Sequence, residues 1–138
     1  MSGSSKTEGE ASLRILAVSQ DPSTLEQLQW ALGSTANLEI QRDPVAAWSM
    51  VCAEQLDGVV IDADLPNRMA SLLTGAFLRH QDSGRVGVIT SADDPTTLMG
   101  IALREDRVEL LYRPLDLEMV RETVLYPETA AVLDIVLP

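Results

Sequence analysis

The residues best placed for chemistry stand at the ends of apolar runs. Within Asp57 to Pro66, the run Gly58-Val59-Val60-Ile61 has strand character and delivers Asp62 to its C-terminal tip. In an α/β sheet that tip is where sites form. A second run, Val86-Gly87-Val88-Ile89, ends in Thr90-Ser91, and a third, Val108 to Tyr112, ends in Arg113-Pro114. Side by side, these runs bring a hydroxyl and a cation to a carboxylate. Such a carboxylate serves as a nucleophile, or it does no more than cap its loop and pair with Arg113. The first apolar run, Leu13 to Val18, ends in Ser19-Gln20.

Positioning these residues requires parallel strands separated by helices. Helix starts are marked by Asp21-Pro22, Asp43-Pro44 and Asp94-Pro95, each a capping carboxylate before a proline suited to the first helical position. The spacing predicts that Leu25, Leu28 and Leu32 share one helix face, that Val45, Trp48, Cys52 and Leu56 share another, and that Leu98, Ile101 and Ala102 share a third. A further helix follows Asp116 with Leu117, Val120 and Val124 inward, and residues 70–80 form one behind the Asp62 loop. Five strands alternating with five helices and joined by right-handed crossovers give a parallel sheet covered on both faces. Trp30 and Trp48 are expected on or near apolar helix faces, in core or interface packing. His80 is expected to be a solvated or capping residue.

Composition fits that architecture. The chain of 138 residues is about one domain long, and its 46% hydrophobic content with 4% aromatics calls for an aliphatic core. Twenty-one acidic against ten basic residues give a formal net charge of −11, which repels phosphate backbones and anionic lipid, so neither direct nucleic-acid binding nor a membrane role is expected. The single cysteine, Cys52, cannot form an internal disulfide and reads as a small apolar residue. Residues 1–12 are rich in Ser, Gly and Glu and are expected to be a disordered leader. No run approaches the roughly 18 apolar residues that span a bilayer, which makes a cytoplasmic location the expectation.

Order, spacing and chemistry resemble the receiver domain of two-component response regulators over roughly residues 13 to 125. The resemblance implies a flavodoxin-like (CheY-like) three-layer α/β/α sandwich with a five-stranded parallel sheet in order 2-1-3-4-5. Asp62, with Leu65-Pro66 downstream, matches the phosphoacceptor position. Thr90 matches the hydroxyl residue that contacts the phosphoryl group, and Arg113 stands where the family has a lysine. Arginine keeps the charge but presents a planar fork that pairs readily with a carboxylate. The family's magnesium-holding acid pair is replaced by Ser19 and Gln20. Neutral ligands bind magnesium poorly, so no cofactor is expected, and Asp21, Asp62 and Asp64 are weak candidates for a cation. Leu110 occupies the position of the family's aromatic switch, and Tyr112 lies on the same side of the strand.

The resemblance therefore implies an atypical, non-enzymatic signalling domain over residues 13–126 that acts through protein contacts. Its expected partners are a second copy of the chain and a histidine kinase or phosphotransfer protein. A conventional phosphoaccepting receiver using Asp62 is the alternative. Residues 127–138, with the apolar run Ala130 to Leu137, are expected to be an added strand, a dimerisation element or a linker. Two enzyme-like or ligand-binding alternatives are weaker. Ile61-Asp62-Ala63-Asp64 fits the aspartate-x-aspartate signature of haloacid-dehalogenase-like phosphatases, but it sits on the third strand and no acidic pair follows Arg113 in their metal-binding pattern. A flavin or nucleotide site at Ser19 to Thr24 lacks a glycine and places an aspartate against phosphate.

Overall fold

In the computed structural model, which describes residues 13–90 and 105–125, the helix starts follow their capping residues. Asp21 accepts a hydrogen bond from Ser23 N at 3.3 Å and opens α1 (Pro22–Leu32). Asp43 accepts from Val45 N at 3.0 Å and opens α2 (Pro44–Ala53). Each cap satisfies an amide that the first helical turn leaves without a partner. After α3 (Met69–His80), the last described helix, α4 (Leu117–Leu125), starts where Asp116 accepts from Glu118 N at 3.0 Å and Met119 N at 3.3 Å.

Between the helices run β1 (Arg14–Val18), β2 (Asn37–Gln41), β3 (Gly58–Asp62), β4 (Arg85–Thr90) and β5 (Val108–Tyr112). All pairings are parallel and the order is β2-β1-β3-β4-β5, the flavodoxin-like (CheY-like) α/β/α arrangement. The fifth expected helix, on Asp94-Pro95, lies outside the described residues. So do the leader 1–12 and the extension 127–138. Among the described residues no helix is long and apolar enough to cross a membrane.

Strand alternation divides the core into two layers. Leu16, Val18, Val59, Ile61, Val86 and Val88 face α2 and α3, where Phe77 is the largest buried side chain. Ile15, Ala17, Val60, Ile89 and Leu111 face α1 and α4, against Leu28, Leu32, Val120 and Val124. These faces agree with the leucine spacing of α1 and the valine spacing of α4.

Two expectations about side-chain direction are corrected. In α2 the buried face is Pro44, Ala47 and Val51, while Val45 is 66% exposed and Cys52 is only partly buried. Ser49 is the one polar residue from Pro44 to Ala53, so the pattern contains no polar stripe to fix the helix phase. Trp30 is 70% exposed, which removes the core half of its expected core or interface packing. It falls on the far side of α1 from Leu28, Ala31 and Leu32, because successive residues are about 100° apart on a helix. Trp48 is partly buried against the core as expected.

The end of the sheet away from Asp62 is tied by two polar side chains. Gln81 is buried; its Oε1 accepts from Leu56 N at 3.1 Å and its Nε2 donates to Val51 O at 2.8 Å and Glu54 O at 2.7 Å. Arg107 donates to Gly84 O at 2.9 Å, Gln81 O at 2.8 Å and Ser83 O at 3.0 Å. Gly84 makes this turn possible, since its φ is +102° and a Cβ there would meet Asp57 O at 2.5 Å. Gly84→Ala is accordingly expected to lower unfolding free energy by about 2–3 kcal/mol in urea denaturation. Gly75→Ala, in α3 and with no atom nearer than 3.5 Å to the new methyl, should be neutral or stabilise by up to about 1 kcal/mol.

Candidate functional site

Strand parity carries the site residues to one side of the sheet. Asp62 shares parity with Val60, and Ser19, just past β1, shares parity with Ala17, so both lie in the α1–α4 layer. Since β1 and β3 are neighbours, the two side chains meet. Ser19 Oγ donates to Asp62 Oδ2 at 2.7 Å, and both residues are buried.

Arg113 arrives from farther away. It follows β5, two strands from β3, its N donates to Thr90 O at 3.0 Å, and its peptide bond to Pro114 is cis. From there the guanidinium spans the tip of β4, and Nη2 donates to the same Asp62 Oδ2 at 3.0 Å. The other carboxylate oxygen is held locally, with Asp64 N donating to Oδ1 at 3.0 Å in the turn after β3. That turn leads into Asn67 and Arg68, which have φ of 59° and 58°. Two consecutive non-glycine residues in the left-handed region are held there at about 1 kcal/mol or more each.

Above Asp62 lies a cavity of about 260 Å³ lined by Gln20, Asp21, Asp62, Asp64, Leu65 and Arg113. Gln20 is exposed and donates to Arg42 O at 3.3 Å. Asp64 is exposed, with Oδ2 3.8 Å from Arg113 Nη1, a nitrogen that is itself buried with no hydrogen-bond partner. Thr90 is buried at the end of β4 but is not among the residues lining this cavity. The structure thus joins Ser19, Asp62 and Arg113 directly and gathers Gln20, Asp21 and Asp64 around them.

Sequence reasoning placed Thr24 only within the Ser19 to Thr24 loop weighed as a nucleotide site and missed its link to Asp21 and Arg113. This buried residue of α1 donates from Oγ1 to Asp21 Oδ2 at 2.7 Å and accepts from Arg113 Nη2 at 3.3 Å. The available signal was its place three residues after the capping Asp21, where a side chain can reach back to the cap. The Thr24 hydroxyl is the largest cause holding the Asp21 carboxyl below its ordinary pKa. The Ser23 and Thr24 amides and Arg113 act in the same direction, against a desolvation effect.

A divalent cation needs several oxygen donors with negative charge to spare. Both Asp62 oxygens and both Asp21 oxygens already accept protein hydrogen bonds, and a guanidinium lies 3.0 Å from Asp62. Among the described residues no three His, Cys, Asp or Glu side chains are grouped to hold a metal ion. The donor set around Asp62 already carries a cation and is poor in uncommitted negative charge.

Away from the cavity, His80 ends α3 in an exposed position. Leu110 packs partly against the α2–α3 core, and Tyr112 is exposed. Together with Leu115 and Met119 they line a second cavity of about 180 Å³ between β5 and α4.

Known structures with this architecture identify the fold. A signal receiver domain of an HD domain-containing protein from Pseudomonas fluorescens Pf-5 superposes with a TM-score of 0.70 at 21% identity, covering 88% of this chain and 93% of that one. The chain folds as a receiver domain. A response regulator protein from Burkholderia pseudomallei, described with a phosphorylated aspartic acid and a calcium ion, matches the receiver fold with a TM-score of 0.70 at 15% identity, over 91% of this chain and 74% of that one. A structure described as an adenylate cyclase from Rhodopirellula baltica matches with a TM-score of 0.73 at 18% identity, over 90% and 93% of the two chains. No family model and no curated protein matches the sequence.

Two measurements follow from the receiver-fold site. Arg113→Ala leaves a buried carboxylate without its cation and is expected to lower unfolding free energy by about 2–4 kcal/mol in urea, below the full range for buried pairs because the guanidinium is 27% exposed. Adding Asp62→Asn should recover part of that loss. For Asp21 the folded pKa is depressed, so its contribution to stability is complete above the unfolded value near 3.9 and disappears as pH falls through the folded pKa. Carboxyl NMR should show Asp21 titrating below the ordinary aspartate range and moving up in Thr24→Val. A titration unchanged by that substitution would contradict the assignment.

Proposed function

We propose that this chain is a receiver-type signalling module that acts through protein contacts, without turnover of its own, and with Asp62 kept in an ion-paired state rather than offered to a phosphodonor. One observation carries this reading. Every oxygen of the Asp62 carboxylate is engaged, Oδ2 by Ser19 and Arg113 and Oδ1 by the Asp64 amide. Oδ1 accepts a single N–H and keeps a lone pair, so the contacts act on charge: a carboxylate nucleophile needs a counter-charge reserved for the transferring group. Here the counter-charge already neutralises the nucleophile.

The contact surface we favour is the β5 edge with the start of α4, where Tyr112 and Met119 are exposed beside Leu110 and Leu115. A second copy of the chain is the first partner to test. The net charge of −11 argues against nucleic acid as a direct partner, and a soluble cytoplasmic setting suits such a module.

A conventional phosphoaccepting receiver is the second reading, favoured by the open cavity above Asp62 and by the likeness to a protein that carries a phosphorylated aspartic acid. In that reading an Asp62 oxygen attacks phosphorus, the phosphorus–oxygen bond of an acyl phosphate breaks, and the carboxylate of the donor leaves. Incubation with acetyl phosphate and magnesium, followed by intact-mass spectrometry with Asp62→Asn as control, separates the two. The expected result is no phosphoryl adduct on the wild type; an adduct lost in Asp62→Asn would establish the second reading. Light scattering at high concentration tests the self-contact, and a strictly monomeric protein would remove a second copy as partner.

A further inference from the structure

The two donors to Asp62 Oδ2 are themselves joined through the start of α1. Ser19 Oγ, which donates to Asp62, accepts from Asp21 N at 3.1 Å. Arg113 Nη2, which donates to the same oxygen, also donates to Thr24 Oγ1, and Thr24 Oγ1 donates to Asp21 Oδ2. The contacts close a ring: Asp62, Ser19, Asp21, Thr24, Arg113 and back to Asp62.

Proton bookkeeping in the ring is complete. Each hydroxyl has one proton, and Ser19 and Thr24 each give theirs to a carboxylate while accepting an N–H on the oxygen. Nη2 has two protons and uses one on Asp62 and one on Thr24. No donor or acceptor along the ring competes with another. Ser19 is fully buried and Thr24 is 2% exposed, so both hydroxyls operate away from bulk water, where such chains are strengthened.

We propose that this ring is a built-in replacement for a bound cation: Arg113, positioned by Thr24, supplies the positive charge at Asp62, and the site is closed to divalent metal. The proposal rests on the preceding reading only for the importance of Asp62 and adds Thr24 and Ser19 as its positioning residues. It also makes α1 the helix that is mechanically coupled to Asp62. The coupling runs by two routes, one through the backbone of Asp21 and one through its carboxylate. Loss of either hydroxyl removes two of the five contacts of the ring without touching the apolar residues of either core layer.

The test uses the full chain and manganese alone, with paramagnetic broadening of amide signals as readout and no phosphodonor present. In the wild type, amides of residues 19–21 and 62–65 should broaden no more than those near exposed carboxylates elsewhere. Ser19→Asp combined with Arg113→Lys returns acidity and shortens the cation, and should raise manganese affinity at Asp62 at least tenfold. A saturable wild-type site centred on Asp62 would overturn the proposal, whereas the preceding reading is read separately, by the phosphoryl adduct in the mass spectrum.

Because that double variant places two acids together and can fail to fold, Thr24→Val provides an independent reading. In the wild type the Arg113 guanidinium should give separate, slowly exchanging Nη signals, since rotation would break both contacts of Nη2, to Asp62 and to Thr24. In Thr24→Val these should merge and exchange faster while the amide spectrum of β3 and β4 is retained. Averaged Arg113 signals already present in the wild type would also overturn the ring.

Discussion

A buried carboxylate must be compensated, and in this chain Asp62 sets that demand for the whole upper end of the sheet. Its solvation by water has been exchanged for one hydroxyl, one guanidinium and one amide, each of which must arrive from a different element. Ser19 comes from the end of β1, Arg113 from the end of β5 and Asp64 from the turn after β3. Central β3 is thereby fixed relative to a neighbour on one side and to the far edge on the other. The arginine is long enough to pass the tip of β4, and its planar fork allows one nitrogen to serve β3 and α1 together.

The fold was largely legible because the local signals agreed with one another. Asp-Pro pairs placed α1 and α2, apolar runs placed β1, β3, β4 and β5 to within about one residue, and the leucine and valine spacings gave the buried faces of α1 and α4. Legibility failed where local signals were silent. Residues Pro44 to Ala53 are apolar on nearly every side, so the choice of Ala47 and Val51 over Val45 was made by packing against α3. For Trp30 the size of the indole did not decide between core and interface, and its angular position on α1 takes it outward.

At the site, the residue types and their strand-end positions pointed to Asp62, Ser19 and Arg113, but the hydrogen bonds among them did not follow from spacing. Thr24 and Arg113 are separated by 89 positions, and no periodicity relates them. The capping carboxylate Asp21 was visible, yet its link to the cavity required knowing that the first turn of α1 lies beside the guanidinium. Polar networks of this kind depend on which side chains the topology brings together, and only the three-dimensional arrangement reveals that.

The partition of the sheet into two layers has an evolutionary consequence. Asp62, Ser19 and Thr24 all belong to the α1–α4 layer, while Phe77, Leu73, Val51 and their neighbours fill the other side. Substitutions well separated from one another, with no shared contacts, add independently. The α2–α3 layer is therefore free to accumulate compensating hydrophobic exchanges as a nearly separate lineage of changes, whereas the α1–α4 layer must drift within the limits set by a single charged oxygen.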